Sequence, residues 1–146
     1  MTADCLPILL ANKTANWVAA VHAGWRGLAD GIVQNTIATY PGDTCELVAW
    51  LGPAISQSHF EVGEEVKSIF ETKDRIYSAA FRENGIAKYH GDLYAIARMI
   101  LKNFEIDVFG GEFCSFSQSS KFYSYRRDGK TGRMASLIWI ENEEHQ

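Results

Sequence analysis

Short apolar runs and helical repeats alternate along the first 110 residues of the chain. Apolar runs at residues 6–10 and 17–21, each bounded by turn-forming residues, predict two buried strands. Further strands are predicted at residues 46–51 and 106–109, because each of these runs ends at a glycine-containing turn. The apolar pattern therefore predicts a sheet whose strands are separated by helices.

Three segments show the three-and-four spacing of an amphipathic helix. They cover residues 28–40, 61–72 and 93–104, and Asp92 stands at the N-cap position of the third. The segment between residues 75 and 88 is ambiguous, because it shows neither a clear strand alternation nor a clear helical spacing. Strands that alternate with helices predict an α/β domain with a mixed sheet.

The last third of the chain predicts a β-hairpin. Residues 122–127 and 133–140 flank a glycine-containing loop at 128–132. On such a strand, Arg126 and Arg127 would point to opposite faces, so that one of them would face the core or a site. We expect a single domain over residues 1–140 and a solvated polar tail at 141–146.

Composition and charge narrow the class of protein. The 146 residues are 47% apolar and 22% charged, which is typical of one globular domain and excludes a disordered chain. The net charge of −4 argues against binding to nucleic acid or to an anionic membrane. Three widely spaced cysteines do not form a disulfide framework, and we expect a reducing, cytoplasmic location.

Cys5 and His22 are the sharpest candidates for chemistry, because each lies at the end of a predicted strand. A thiolate and an imidazole are good ligands for zinc or copper. The same two groups could act as a nucleophile and its base. The alternative is a buried free thiol and a hydrogen-bonded histidine, and the spacing alone leaves these interpretations open.

Two further groups are candidates for substrate contacts. Arg26 stands between glycines at the predicted start of a helix, which favours phosphate recognition; the alternative is a surface ion pair. His59 and Glu61 lie in a loop and could serve as acid, base or ribose contact. Alternatively, Glu61 sits in the first turn of the following helix, where the dipole favours a carboxylate.

Several motifs together are similar to those of one known family. The chain resembles the YfiH family, also called the laccase-domain or polyphenol oxidase family, over residues 2 to about 140. The motifs are Thr-Ala-Asp-Cys-Leu-Pro at 2–7, Val-His-Ala-Gly-Trp-Arg-Gly-Leu at 21–28, Leu-Gly-Pro-Ala-Ile at 51–55, Phe-Glu-Val-Gly at 60–63, Tyr-Arg-Arg-Asp at 125–128 and Gly-Arg-Met-Ala at 132–135.

The resemblance implies an α/β sandwich, similar to that of certain cysteine hydrolases, and a zinc-dependent purine nucleoside enzyme. The implied activities are phosphorolysis of adenosine, inosine and methylthioadenosine, and deamination of adenosine. The implied metal ligands are Cys5 and His22, with a second histidine from a family segment that precedes residue 2. Copper, implied by the older oxidase name, is the weaker expectation because the chain has only four histidines.

The expected substrates are a purine nucleoside and phosphate, with Arg26 on the phosphate and Arg126 or Arg127 adding positive charge. Asp4 is a candidate proton carrier or orienter of His22. One alternative is a metal-free cysteine hydrolase that edits peptidoglycan precursors, with Cys5 as nucleophile and His22 as base. Another is an inactive remnant of the family. We also expect self-association, because strands without their family neighbours would expose apolar surface.

Overall fold

Strands form two separate sheets in the computed structural model, which describes residues 1–141. The polar tail that we expect lies almost wholly outside the described residues. The strands are β1 (Leu6–Asn12), β2 (Val18–Ala23), β3 (Leu47–Leu51), β4 (Glu61–Gly63), β5 (Phe81–Glu83), β6 (Lys88–Gly91) and β7 (Asp107–Gly110). The helices are α1 (Trp25–Ala29), α2 (Ile32–Ile37), α3 (Glu64–Lys73), α4 (Leu93–Lys102) and α5 (Tyr125–Asp128).

The larger sheet is mixed, as the sequence predicts. Its order is β2-β1-β3-β7, with β1 antiparallel to β2 and β3, and β3 parallel to β7. The smaller sheet, β4-β6-β5, is antiparallel throughout. The mixed α/β architecture is thereby confirmed.

The inner face of the larger sheet packs against helices to form the core. Alternate residues of β1 point inward, and Leu6, Ile8 and Leu10 are fully buried. The apolar stripe of α4 is buried as its period predicts, and Asp92 caps this helix by accepting a hydrogen bond from the Ala95 amide at 2.9 Å. Burial of this face fixes the register of β1, because a slip by one residue would turn its leucines to the other side.

The outer face of the same sheet is apolar but only partly covered. Leu9 of β1 lies opposite Trp50 of β3, which lies opposite Phe109 of β7. Trp50 is 38% exposed and Phe109 is 60% exposed. The C-terminal segment lies near this face, since Met134 and Leu137 line one cavity together with Leu9 and Trp50.

The predicted helix over residues 28–40 is wrong in one respect, because it is divided into α1 and α2. Gly31 adopts a left-handed conformation, with φ of 83°, at the division. A helix cannot continue through such a residue. The predicted helix over 61–72 also begins later than predicted, at Glu64, because residues 61–63 pair with β6 as strand β4.

The predicted hairpin over residues 122–140 is wrong. Ser124 accepts a hydrogen bond from the Arg127 amide and caps α5, so that Arg126 and Arg127 lie on a helical turn rather than on a strand. Met134 pairs with Thr2 near the N-terminus and not with residues 122–127. A serine cap and a long-range partner therefore replace the local pairing that the sequence pattern predicts.

Candidate functional site

Cys5 directly precedes β1, and His22 lies near the end of β2. Pro7 is opposite His22 and Leu6 is opposite Ala23, and the Cys5 sulfur packs against Gly24. His22 is exposed and Cys5 is half-buried. The two predicted metal ligands are therefore near the paired ends of β1 and β2, and metal binding by them stays a prediction.

Gly24 makes room for the Cys5 side chain. A methyl group on Gly24 would lie 2.9 Å from the Cys5 Sγ, closer than real side chains come. Burial raises the pKa of the Cys5 thiol, and the charge of Asp4 raises it further, while Arg133 opposes both. A thiol that keeps its proton is a poor nucleophile, whereas coordination to a metal removes that proton.

The residues around His22 leave space for a ligand. A cavity of about 110 Å³ is lined by His22, Thr2, Pro7 and Ser136, among others. The Thr2 hydroxyl is buried and has no hydrogen-bond partner within residues 1–141. Such a group normally meets a water molecule or a ligand.

The described residues do not complete a zinc site. Catalytic zinc takes three protein ligands, and no group of three His, Cys, Asp or Glu side chains is placed to hold a metal ion within residues 1–141. Cys5 and His22 fit as two of the three ligands.

Asp4 links three segments of the chain. Its carboxylate accepts hydrogen bonds from the Ser115 hydroxyl and from the Arg126 amide, both at 2.7 Å. Its carbonyl accepts a bond from the Ile55 amide at 3.0 Å. Asp4 also has a φ of 82°, which is rare for a residue with a side chain. Asp4 makes no hydrogen bond to His22 within residues 1–141, and its role as proton carrier or orienter of His22 stays a prediction.

Glu61 and Arg126 belong to the same cluster. The Arg126 Nη1 donates to the Glu61 carbonyl at 2.8 Å, and its guanidinium lies 5.5 Å from the centre of the Phe60 ring. The Glu61 carboxylate accepts bonds from Lys88 and Asn84, and the Lys88 bond lowers the pKa of Glu61. Glu61 lies in β4, so its predicted alternative place in the first turn of a helix is wrong.

Arg127 is a brace and not a substrate contact. An arginine has five N–H groups. Those of Arg127 donate to the Asp128 carboxylate, twice, and to three backbone carbonyls, those of Ser115, Phe116 and Phe122. The predicted role of Arg127 in substrate binding is therefore wrong, because no donor remains for a ligand.

Arg26 lies at the start of α1 and is exposed. Its guanidinium stacks on the ring of the neighbouring Trp25, 4.3 Å from the ring centre. No carboxylate within residues 1–141 forms an ion pair with it. The ion pair considered as an alternative is thus not present in that part of the chain.

The sequence pattern missed Ser115 and Cys114. Ser115 is fully buried and holds Asp4, and Cys114 lies against His59 and Ser56. These contacts join residues more than fifty positions apart, as Ser56 and Cys114 are. No local period or motif spacing could have predicted them.

Comparisons with known proteins show the family to which the chain belongs. A family model described as multi-copper polyphenol oxidoreductase laccase matches residues 1–141. The purine nucleoside phosphorylase YfiH of Escherichia coli is 48% identical over 141 residues, which is 96% of this chain and 58% of that protein. A purine nucleoside phosphorylase of Haemophilus influenzae is 46% identical over 97% of this chain and 59% of that protein.

Solved structures support the same assignment. A crystal structure of a Neisseria meningitidis protein of the DUF152 family has a TM-score of 0.95 and 51% identity, covering 97% of this chain and 59% of that one. The chain belongs to this laccase-like family of α/β proteins, to which the YfiH proteins belong. It spans about three-fifths of the length of these relatives.

Proposed function

We propose that this chain carries active-site residues of a purine nucleoside phosphorylase. The observation that carries the proposal is the similarity to relatives of that name, at 48% identity over 96% of the chain. The geometry supports it, because Cys5 packs against Gly24, two residues after His22, and the cationic Arg126 is joined to the residue next to Cys5.

The proposed reaction is a displacement at the ribose. A phosphate oxygen attacks the anomeric carbon, the bond from that carbon to the purine nitrogen breaks, and the base leaves with a proton. Arg126 uses one N–H on the Glu61 carbonyl, and its other guanidinium donors make no hydrogen bond within residues 1–141. Arg126 and the exposed Arg26 are the groups that we assign to the phosphate.

We propose zinc as the metal, with Cys5 and His22 as two ligands and a third from outside the described residues. When bound, zinc supplies a Lewis acid and a water of lowered pKa. Adenosine, inosine and methylthioadenosine are the proposed substrates, and deamination of adenosine is a second proposed activity. Copper is the weaker alternative, because it rests on the older family name.

The proposal is tested with the purified chain, zinc, inosine and phosphate, by following hypoxanthine release. We expect a Cys5→Ala, His22→Ala double variant to lose at least about 100-fold in kcat/KM. A Cys45→Ala variant is the matched control, because Cys45 is exposed and lies far along the chain from these motifs. Full activity in the double variant would overturn the proposal, and an inactive unsubstituted chain would support the inactive-remnant alternative.

The metal-free hydrolase acting on peptidoglycan precursors is the second function that the sequence suggests. It requires a Cys5 thiolate at neutral pH. The raised pKa of Cys5 argues against that thiolate, so no observation favours this alternative over the phosphorylase.

Cytoplasmic location stays a prediction. Within residues 1–141, no helix is long and apolar enough to cross a membrane.

A further inference from the structure

A second thiol–imidazole pair lies apart from Cys5 and His22. Cys114 follows β7 and is bridged to Ala54. Its sulfur accepts a hydrogen bond from the Ser56 hydroxyl at 3.0 Å, and the amides of Ser56 and Ser117 each lie 3.5 Å away. The Nδ1 of His59 lies 3.7 Å from the same sulfur. Sulfur with several donors around it is an environment that favours the thiolate.

The neighbouring side chains hold His59 in place. Its ring stacks on Phe116, with 4.5 Å between ring centres. Its Nδ1 also lies 3.0 Å from the Ser58 hydroxyl and 3.3 Å from that of Ser56. The imidazole is thereby kept within reach of the Cys114 sulfur, where it can deliver or accept a proton.

The three thiols of the chain differ in acidity. Burial raises the pKa of Cys114, but hydrogen bonds from Ser117 and Ser56 outweigh it and lower the pKa to about 6. In Cys45, the hydrogen bond with Asp43 raises the pKa, and in Cys5 burial does so. Cys114 is therefore the thiol that is ionised at neutral pH, although it is the most buried of the three.

Cys114 lines an open cleft of about 520 Å³. The ionisable groups around this cleft are of both signs, so it has no strong net charge; they are Arg82, Asp92, Arg98 and Glu112. Tyr94 also lines it, and burial raises the pKa of Tyr94 to about 12, so that it stays protonated. Arg127 adds a positive charge near Cys114. A small neutral or zwitterionic molecule can enter such a cleft.

We propose that Cys114, with His59 beside it, is a nucleophilic site that exchanges with low-molecular-weight disulfides entering this cleft. The Cys114 thiolate attacks one sulfur of the disulfide, a new S–S bond forms, and the original S–S bond breaks. The leaving thiolate takes a proton from His59 or from water, and no other oxidant is required. This site goes beyond the proposed phosphorylase activity. The adduct would stand next to Ser115, which holds Asp4.

The test compares the cysteines within one protein. The chain is treated with hydroxyethyl disulfide, and adducts on each cysteine are timed by peptide mass spectrometry. With a pKa of about 6, Cys114 is mostly thiolate at pH 6.5, whereas an ordinary thiol is ionised to about 1% or less. After correction for the lower nucleophilicity of an acidic thiolate, we expect Cys114 to react about tenfold faster than Cys45.

The advantage of Cys114 over Cys45 should shrink at high pH. The thiolate fraction of Cys45 grows between pH 6.5 and pH 9.5, whereas that of Cys114 is already near its maximum, so we expect the ratio of the Cys114 rate to the Cys45 rate to fall. Reaction in the order of exposure at both pH values, with Cys45 first, would overturn the proposal. So would the absence of any Cys114 adduct at pH 6.5.

Two serine variants test whether the Ser56 hydroxyl lowers the pKa of Cys114. Ser56→Ala removes the hydroxyl donor to the sulfur, and we expect the midpoint of the pH–rate profile of Cys114 to rise by about one pH unit. Ser119→Ala is the control and should leave the midpoint unchanged, because Ser119 is exposed and its hydroxyl makes no hydrogen bond to the sulfur or to His59. An unchanged midpoint in Ser56→Ala contradicts the assignment. The measured quantity is the rate of adduct formation on Cys114, which does not depend on nucleoside turnover. The experiment therefore tests this proposal separately from the phosphorylase proposal.

Discussion

Arg126 and Arg127 show how two adjacent residues of the same type take different tasks. Arg127 is committed to Asp128 and to three carbonyls, whereas Arg126 keeps most of its donors available. We expect Arg127→Ala to lower Tm by about 5–10 °C, because several hydrogen bonds to the loop at 115–122 are lost. Thermal unfolding of the purified variant measures this.

Arg126→Ala is the matched variant, and we expect the opposite result. Its Tm should change by no more than about 2 °C, while kcat/KM for inosine phosphorolysis falls about tenfold or more because phosphate loses a cationic partner. Equal losses of stability in the two variants would contradict this division of roles.

Gly24 packs so closely against Cys5 that it leaves no room for a side chain. A methyl group there would meet the Cys5 Sγ at 2.9 Å, so Gly24→Ala must displace the sulfur. We expect a loss of stability of about 1–3 kcal/mol and weaker zinc binding, measured by denaturation and by metal titration. Gly27→Ala is the control, because its methyl group would lie 3.3 Å from the Ile32 Cγ2 and 3.5 Å from the His22 carbonyl oxygen, neither of them as close as the contact at Gly24. Unaltered zinc affinity in Gly24→Ala would contradict a ligand role for Cys5.

At the scale of elements, the sequence predicted what periodicity can show. The apolar patterns of β1, β2 and α4 could be recognised in the sequence, because each element has buried residues along its length. Recognising them does not require knowledge of which segments pack against them. The hairpin failed because the partner of Met134 is Thr2, at the far end of the chain. The site at Cys114 was missed for the same reason, since Ser56 and His59 come from the loop before β4.

The division between α1 and α2 predicts that an alanine at Gly31 lowers the stability of the protein. In a continuous helix, replacing Gly31 by alanine would stabilise the protein by about 0.5–1 kcal/mol. Because Gly31 is left-handed, we expect Gly31→Ala to destabilise it by about 1 kcal/mol instead. Urea unfolding measures the difference. Gly31→Asn is the control and should cost less, since asparagine tolerates this conformation, whereas a stabilising alanine would contradict the break.

At the scale of the whole molecule, the outer face of the larger sheet is an apolar surface that is only partly covered. Trp50 and Phe109 pair across β3 and β7, and both are exposed, as are Leu137 and Trp139 of the C-terminal segment. An apolar sheet face of this kind is typical of an interface. We expect the chain to self-associate through it, with an average mass in sedimentation that rises with concentration.

Replacing the exposed aromatic pair should remove this association. Trp50→Ser together with Phe109→Ser takes apolar area from the outer face without touching the buried face, and we expect the variant to sediment as a monomer at concentrations where the parent chain does not. Ile86→Ser is the matched control, because Ile86 is 99% exposed in the turn between β5 and β6, on the smaller sheet. If the control dissociates as well, general surface hydrophobicity is the cause. If the parent chain is monomeric at all concentrations, the outer face is stable in water and the expectation of self-association is wrong.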